Sequence, residues 1–139
     1  MPAGHDLLAL RDDASGDLIA RRVVNARSFW ARFRGLMGRP ALAPDGGLFL
    51  AGTSSVHMLF MRFPIDCLFV GREQDDGSRR VVAVRSDLLP WRGVVWWVRG
   101  ADGVIELPAG TLERAGVEIG SRVRLAAADT WTVPQTDGP

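Results

Sequence analysis

The chain alternates short apolar runs with turns rich in glycine, aspartate and proline, and this pattern predicts a mainly β protein. Leu7 to Arg11 and Leu18 to Val24 flank a spacer of turn-forming residues and are typical of a β-hairpin. The further predicted strands are Leu48 to Ala51, Val56 to Met61, Asp66 to Val70, Val81 to Arg85, Val104 to Leu107 and Ser121 to Ala126. About eight short strands favour a single-domain β-sandwich or a partly open barrel.

Two short helices are predicted between these strands. The first lies after Asn25, where apolar side chains recur every three or four residues along one helix face. These side chains are Phe29, Trp30, Phe33, Leu36 and Met37. Ser28 is its candidate N-cap, and Pro40 ends it. The second helix runs from Thr111 to Ala115, with Thr111 as its candidate N-cap.

One domain is expected over residues 1–139, because this length provides one hydrophobic core and is short for two. We expect the core at about residues 7–126 and a loose tail at residues 127–139, which are mostly small and polar. The N-terminus lacks the basic and apolar pattern of a signal peptide, and no apolar run reaches the ~18 residues of a membrane helix. These features predict a soluble cytoplasmic protein.

Composition narrows the possible partners. All 17 basic residues are arginine, but the net charge is only +1, which gives no electrostatic footprint for nucleic acid or an anionic membrane. A single cysteine, Cys67, excludes an internal disulfide and a thiolate metal cluster. His57, Asp66 and Glu106 are too few ligands of the usual kind for zinc. We therefore expect no metal and no cofactor.

The stretch SVHMLFMRFPIDCLFV, at residues 55–70, carries the strongest signal for a site. His57, Arg62 and Asp66 lie in an apolar run, where burying an unpartnered polar group costs roughly 2–7 kcal/mol. In one interpretation Asp66 orients the His57 ring, while Arg34, Arg39 or Arg62 binds an anionic ligand. In the other, Asp66 pairs with an arginine or caps backbone N–H groups, and His57 is a half-buried structural ring.

Further candidates surround this stretch. Met37 and Met58 are expected to line a pocket between the sheet and the first helix. Glu106 either projects into that pocket or pairs with an arginine at its rim. The candidate binding residues are therefore Arg34, Met37, Arg39, His57, Met58, Arg62, Asp66 and Glu106. His57 is also the candidate catalytic residue.

Three motifs occur in order along the chain: RGLMGR at residues 34–39, VHMLFMRFPIDCLFV at 56–70, and ELPAG at 106–110 followed by GVEIGSRVRL. Together they resemble the domain-of-unknown-function 192 family of small bacterial and archaeal proteins. The resemblance covers about residues 20–126, and the order Val56-His57-Met58 is similar to a His-Met branch of the family. It implies a jelly-roll-like β-sandwich with short helices, and it implies no established activity.

Two functions fit these residues. The first is a non-catalytic ligand-binding or protein-interaction module with a polar pocket around His57, Arg62 and Asp66, because no complete catalytic motif is present. The alternative is an enzyme acting on a small anionic or carbohydrate-like substrate, with His57 as general acid or base. The expected partner is a small anionic ligand or a protein, without nucleic acid or membrane, and the expected state is a monomer or weak homodimer.

Overall fold

The computed structural model describes residues 7–25, 45–52, 64–88 and 98–127. These ranges contain seven strands and one short helix, which confirms the prediction of a mainly β protein. The elements are β1 (Leu7–Asp12), β2 (Leu18–Asn25), β3 (Gly46–Ala51), β4 (Ile65–Val70), β5 (Ser78–Leu88), β6 (Gly103–Pro108), α1 (Thr111–Ala115) and β7 (Arg122–Ala127). The helix predicted after Asn25 and the strand predicted from Val56 to Met61 lie outside the described residues. None of the helical segments described is long and apolar enough to cross a membrane.

The strands form a closed barrel in the order β1-β2-β3-β6-β4-β5-β7, with β7 pairing back to β1. The prediction of a sandwich or a partly open barrel was therefore wrong on one point, because the barrel is closed. The physical reason is that β1 pairs on one edge with β2, as the predicted hairpin, and on its other edge with β7. This joins the two ends of the sheet. β2 and β3 run parallel, and residues 26–45 between them are long enough for the crossover that a parallel pair requires.

The two faces of this sheet bury separate apolar clusters, because successive side chains on a strand point to opposite faces. The interior cluster receives side chains from all seven strands and α1. Its buried members are Leu10, Ala20, Val23, Phe49, Leu68, Val70, Val81, Ile105, Leu107, Leu112, Val117 and Val123. The outer cluster lies on β3, β6, β4 and β5 and consists of Leu48, Leu50, Ile65, Cys67, Phe69, Ala83 and Val104. β4 contributes to both clusters, and all six of its residues are buried.

Gly47 sets how closely β3 approaches its neighbours. A Cβ atom at this position would lie 2.8 Å from the backbone oxygen of Glu106 and 2.9 Å from a methyl carbon of Leu107. Both distances are too short for a carbon contact, and the first involves backbone that cannot rotate away. β3 and β6 therefore pair closely because residue 47 lacks a side chain.

Gly47→Ala should destabilise the barrel by about 1–3 kcal/mol, the usual cost of forcing extra atoms into a packed core. Gly71→Ala is the matched control, since Gly71 is also buried but its Cβ would find no atom closer than 3.6 Å. Urea denaturation of the two variants measures the difference. Equal loss of stability would show that the close approach at Gly47 is not the cause.

A polar cluster joins the tip of the β4–β5 hairpin to β7 and β1. The Asp76 carboxylate accepts hydrogen bonds from the backbone N–H of Ser78 at 2.9 Å and from its hydroxyl at 2.7 Å. Arg124 donates to the Asp76 carbonyl at 2.6 Å and to the Asp13 carboxylate at 3.0 Å. The two Ser78 bonds, helped by the charges of Arg124 and Arg122, hold the pKa of Asp76 below its ordinary value.

Asp76→Asn should reduce stability at neutral pH, and the difference from wild type should shrink below about pH 4. The sign follows from the lowered pKa, because such a carboxylate stabilises the fold above its unfolded-state pKa and loses that contribution as the pH falls through its folded-state pKa. Urea denaturation across this pH range measures it. Asp75→Asn, at the exposed neighbouring position, removes a carboxylate but neither bond to Ser78, and is the matched control. A difference at Asp76 that persists at low pH would contradict this assignment.

Candidate functional site

A cleft of about 560 Å³ opens at the end of the barrel where β4 begins and β5 and β6 end. The described residues that line it come from β4, β5, the β6–α1 connection, α1 and the segment that follows it. They are Asp66, Val84, Ser86, Ala109, Gly110, Leu112, Glu113 and Val117. The volume lies within the range of ordinary small-molecule sites, and the lining combines apolar walls with a few polar groups.

The cleft exists because β5 has two different neighbours along its length. Its first residues, Ser78 to Arg80, pair with β7. At Val81 the backbone N–H donates to Ser121 and the carbonyl accepts from Gly120, and these are the last such bonds on this side. Beyond Val81, β5 continues to Leu88 paired with β4, and among the described residues no strand pairs with its other edge. The space left there is bounded by α1 and Val117.

Asp66 is the buried polar group of this cleft. Its residue is 0% exposed, and it is the second residue of a strand that is otherwise apolar. Its Oδ2 atom accepts a hydrogen bond from the backbone N–H of Leu112 at 3.0 Å. The first N–H groups of a helix have no partner within the helix, so this carboxylate satisfies one of them from 46 residues away. Capping of a backbone N–H by Asp66 belongs to the second of the two interpretations of residues 55–70, and this hydrogen bond agrees with it.

Thr111 does not cap α1, so that prediction was wrong. The N-cap residue is Gly110, with φ 93° and no side chain, and Thr111 is the first helical residue. The left-handed backbone at Gly110 favours glycine and brings the Leu112 N–H towards β4, where Asp66 takes the place of a local cap. The distant carboxylate therefore replaces the local hydroxyl that the sequence suggested.

Glu106 does not line the cleft. Asp66 is in register with Leu107, whereas Glu106 is in register with Cys67 and Leu48. Register partners share a face, so Glu106 lies with the outer cluster, where it is 2% exposed, and Asp66 lies with the interior cluster. The structure therefore separates these two candidates onto opposite faces of the sheet. The other candidates, Arg34, Met37, Arg39, His57, Met58 and Arg62, lie outside the described residues, and their place in a site stays a prediction.

Sequence reasoning missed most of the lining residues. β5 was predicted to end at Arg85, but it continues to Leu88, so Ser86 was left outside the predicted strand. Glu113 and Val117 carried no signal, because their role depends on where α1 packs. In the described part of the chain no three His, Cys, Asp or Glu side chains are close enough together to hold a metal ion.

The described residues form a small closed β-barrel with one capped helix beside the cleft at a barrel end. The chain belongs to the domain-of-unknown-function 192 family, described as "Uncharacterized ACR", whose model matches residues 11–125. A UPF0127 protein of Thermococcus sibiricus is 34% identical over 118 residues, which are 82% of this chain and 72% of the relative. These matches confirm the family predicted from the three motifs.

Two solved structures share the fold. A protein of Sinorhizobium meliloti 1021, described there as a proposed transcription regulator, has a TM-score of 0.69 and 25% identity, covering 91% of this chain and 99% of its own. A protein of unknown function from Novosphingobium aromaticivorans DSM 12444 has a TM-score of 0.63 and 21% identity, covering 85% of this chain and 83% of its own. The second likeness shows the fold alone.

Asp66→Ala should cost about 1–3 kcal/mol, because it leaves the buried Leu112 N–H without its acceptor. Asp66→Asn keeps an oxygen at the same position and should cost less. Hydrogen exchange at the Leu112 amide gives a local measurement, with protection lost in the alanine variant and retained in the asparagine variant. Asp102→Ala, at an exposed aspartate, is the control and should stay within about 0.5 kcal/mol of wild type. Unchanged Leu112 protection in Asp66→Ala would contradict the capping role.

Proposed function

We propose that this protein is a non-catalytic binding module whose ligand, a small molecule or a segment of a protein partner, occupies the cleft beside Asp66. The observation that carries the proposal is the cleft itself, of about 560 Å³, with a fully buried carboxylate in its wall. A concavity that combines apolar walls with a few convergent polar groups is the usual form of a binding site.

Asp66 supports the wall of the cleft. Its carboxylate accepts the Leu112 N–H and so holds α1 in place. Ser86 and Glu113 supply a hydroxyl and a second carboxylate at the cleft, which are groups suited to orienting a ligand. We propose the cytoplasm as the location of this module.

An anionic ligand was expected from Arg34, Arg39 and Arg62, and it stays a prediction because those residues lie outside the described ranges. A role in transcription, proposed for the Sinorhizobium meliloti relative, has little support here. The chain has 17 basic and 16 acidic residues, and several arginines that the structure describes bond to neighbouring acids or carbonyls. Binding to DNA normally requires a concentrated basic surface.

Ala109→Leu tests the proposal, because Ala109 lines the cleft and three added carbon atoms would narrow it. A thermal-shift panel of small anionic, cationic and carbohydrate-like compounds and of short peptides should contain compounds that raise the melting temperature of the wild type, because binding to the folded state adds to its stability. The same compounds should fail to stabilise Ala109→Leu. Ala14→Leu, the same change in an exposed turn, should respond as the wild type does.

Three results would contradict the proposal. One is a panel in which no compound stabilises the wild type, and another is a set of compounds that stabilise Ala109→Leu equally well. The third is chemical conversion of a bound compound, followed by NMR and abolished in His57→Ala. That result would support the enzymatic alternative instead.

A further inference from the structure

In the part of the chain that the structure describes, no strand pairs with the edge of β5 that faces the cleft at Val84. The Val70 carbonyl accepts a hydrogen bond from the N–H of Asp102, the residue directly before β6. The backbone N–H and C=O of Val70 therefore point towards β6. Backbone groups alternate along a strand, so Leu68, two residues earlier, also faces β6 and makes no ladder bonds to β5. Val84 is the register partner of Leu68 and therefore directs its N–H and C=O away from β4, towards the cleft.

An independent contact supports this direction of the Val84 backbone. The Arg85 guanidinium donates to the Val84 carbonyl at 3.0 Å, a bond that compensates a carbonyl without a strand partner. Val84 also lines the cleft, so its open backbone runs along the wall opposite α1 and Val117. A strand edge of this kind is the element to which an extended peptide adds as a further strand.

We propose that the cleft binds an extended segment of a protein partner by strand addition to β5 at Val84, with a basic side chain of that segment directed at Glu113. This inference rests on the proposed function, since it names the ligand of the same cleft. Glu113 is the exposed charged residue among those that the structure places in the lining, and its carboxylate selects a basic residue in the segment. Leu112 and Val117 provide the apolar surface beside it.

Arg85 regulates access to the edge. Its side chain occupies the Val84 carbonyl that the incoming strand would use, and charged side chains on strand edges commonly prevent indiscriminate pairing. A partner segment must displace this bond. Arg85 therefore weakens binding at this edge. It favours segments whose contacts with Glu113 and the cleft walls compensate for the lost Arg85 bond.

Peptides of about ten residues, the upper length of ordinary strands, selected from a random phage-displayed library against the full chain provide the probe. We expect selected peptides to be enriched in arginine or lysine. Val84→Pro removes the edge N–H, which the ladder with β4 does not use, and should weaken their binding by about tenfold. Val84→Ala also shortens the side chain but keeps the N–H, and should retain most of the affinity.

Arg85→Ala keeps the test decisive if Val84→Pro fails to fold. It frees the Val84 carbonyl and should tighten peptide binding by about twofold to tenfold. Arg80→Ala, which removes the same charge from an exposed position on the same strand, should leave the affinity unchanged. Isothermal titration calorimetry measures each variant. If both variants bind the peptide more tightly by the same factor, the effect comes from net charge alone, and the proposal is overturned.

Ala109→Leu separates this inference from the proposed function. Loss of peptide binding in both Ala109→Leu and Val84→Pro supports strand addition within the cleft. If peptide binding is lost in Ala109→Leu but retained in Val84→Pro, the cleft is still a binding site, but strand addition is overturned. Retention in both variants, or a library without binders, contradicts a peptide site in this cleft. Self-association of the wild type that Val84→Pro abolishes, measured by sedimentation, would assign the edge to a second copy of the chain and overturn the partner proposed here.

Discussion

A hydrogen bond from the Leu112 N–H to the buried carboxylate of Asp66 ties the start of α1 to the start of β4. A helix of five residues has no stability of its own, because nucleation costs more than so few bonds return. Gly110 provides no capping side chain, so the acceptor comes from the barrel. With Leu112 buried in the interior cluster, this one bond and one apolar anchor fix the wall of the cleft.

The cleft itself is a consequence of how the barrel closes. β5 is eleven residues long, almost twice the length of β7, and it pairs with β7 over Ser78 to Arg80 alone. One register shift near Val81 adds a residue to β5 relative to β4, which bends the strand and increases its twist. The second half of β5 therefore leaves β7, and α1 bounds the space between them. Closure at one end and a concavity at the other follow from the same mismatch in strand length.

The sequence predicted those features that depend on neighbouring residues. The β1–β2 hairpin and α1 follow from local turn chemistry and periodicity, and the buried β4 follows from its apolar run. Barrel closure depends on β7 pairing with β1, across more than a hundred residues, and no local pattern reports it. The same limit explains the cap of α1. Local rules favour Thr111, whereas the acceptor that the Leu112 N–H finds is Asp66, which only the three-dimensional structure brings near.

The two buried carboxylates show why a single pocket could not hold every candidate. Asp66 and Glu106 occupy adjacent register positions on β4 and β6, and a shift of one position along a strand reverses the face. A pocket containing both would require β4 to slip by one residue against β6. That slip would expose Leu68 and Val70 to the outer face and remove them from the interior cluster. The apolar pattern of β4 therefore fixes the register, and the register assigns Asp66 to the cleft and Glu106 to the outer layer.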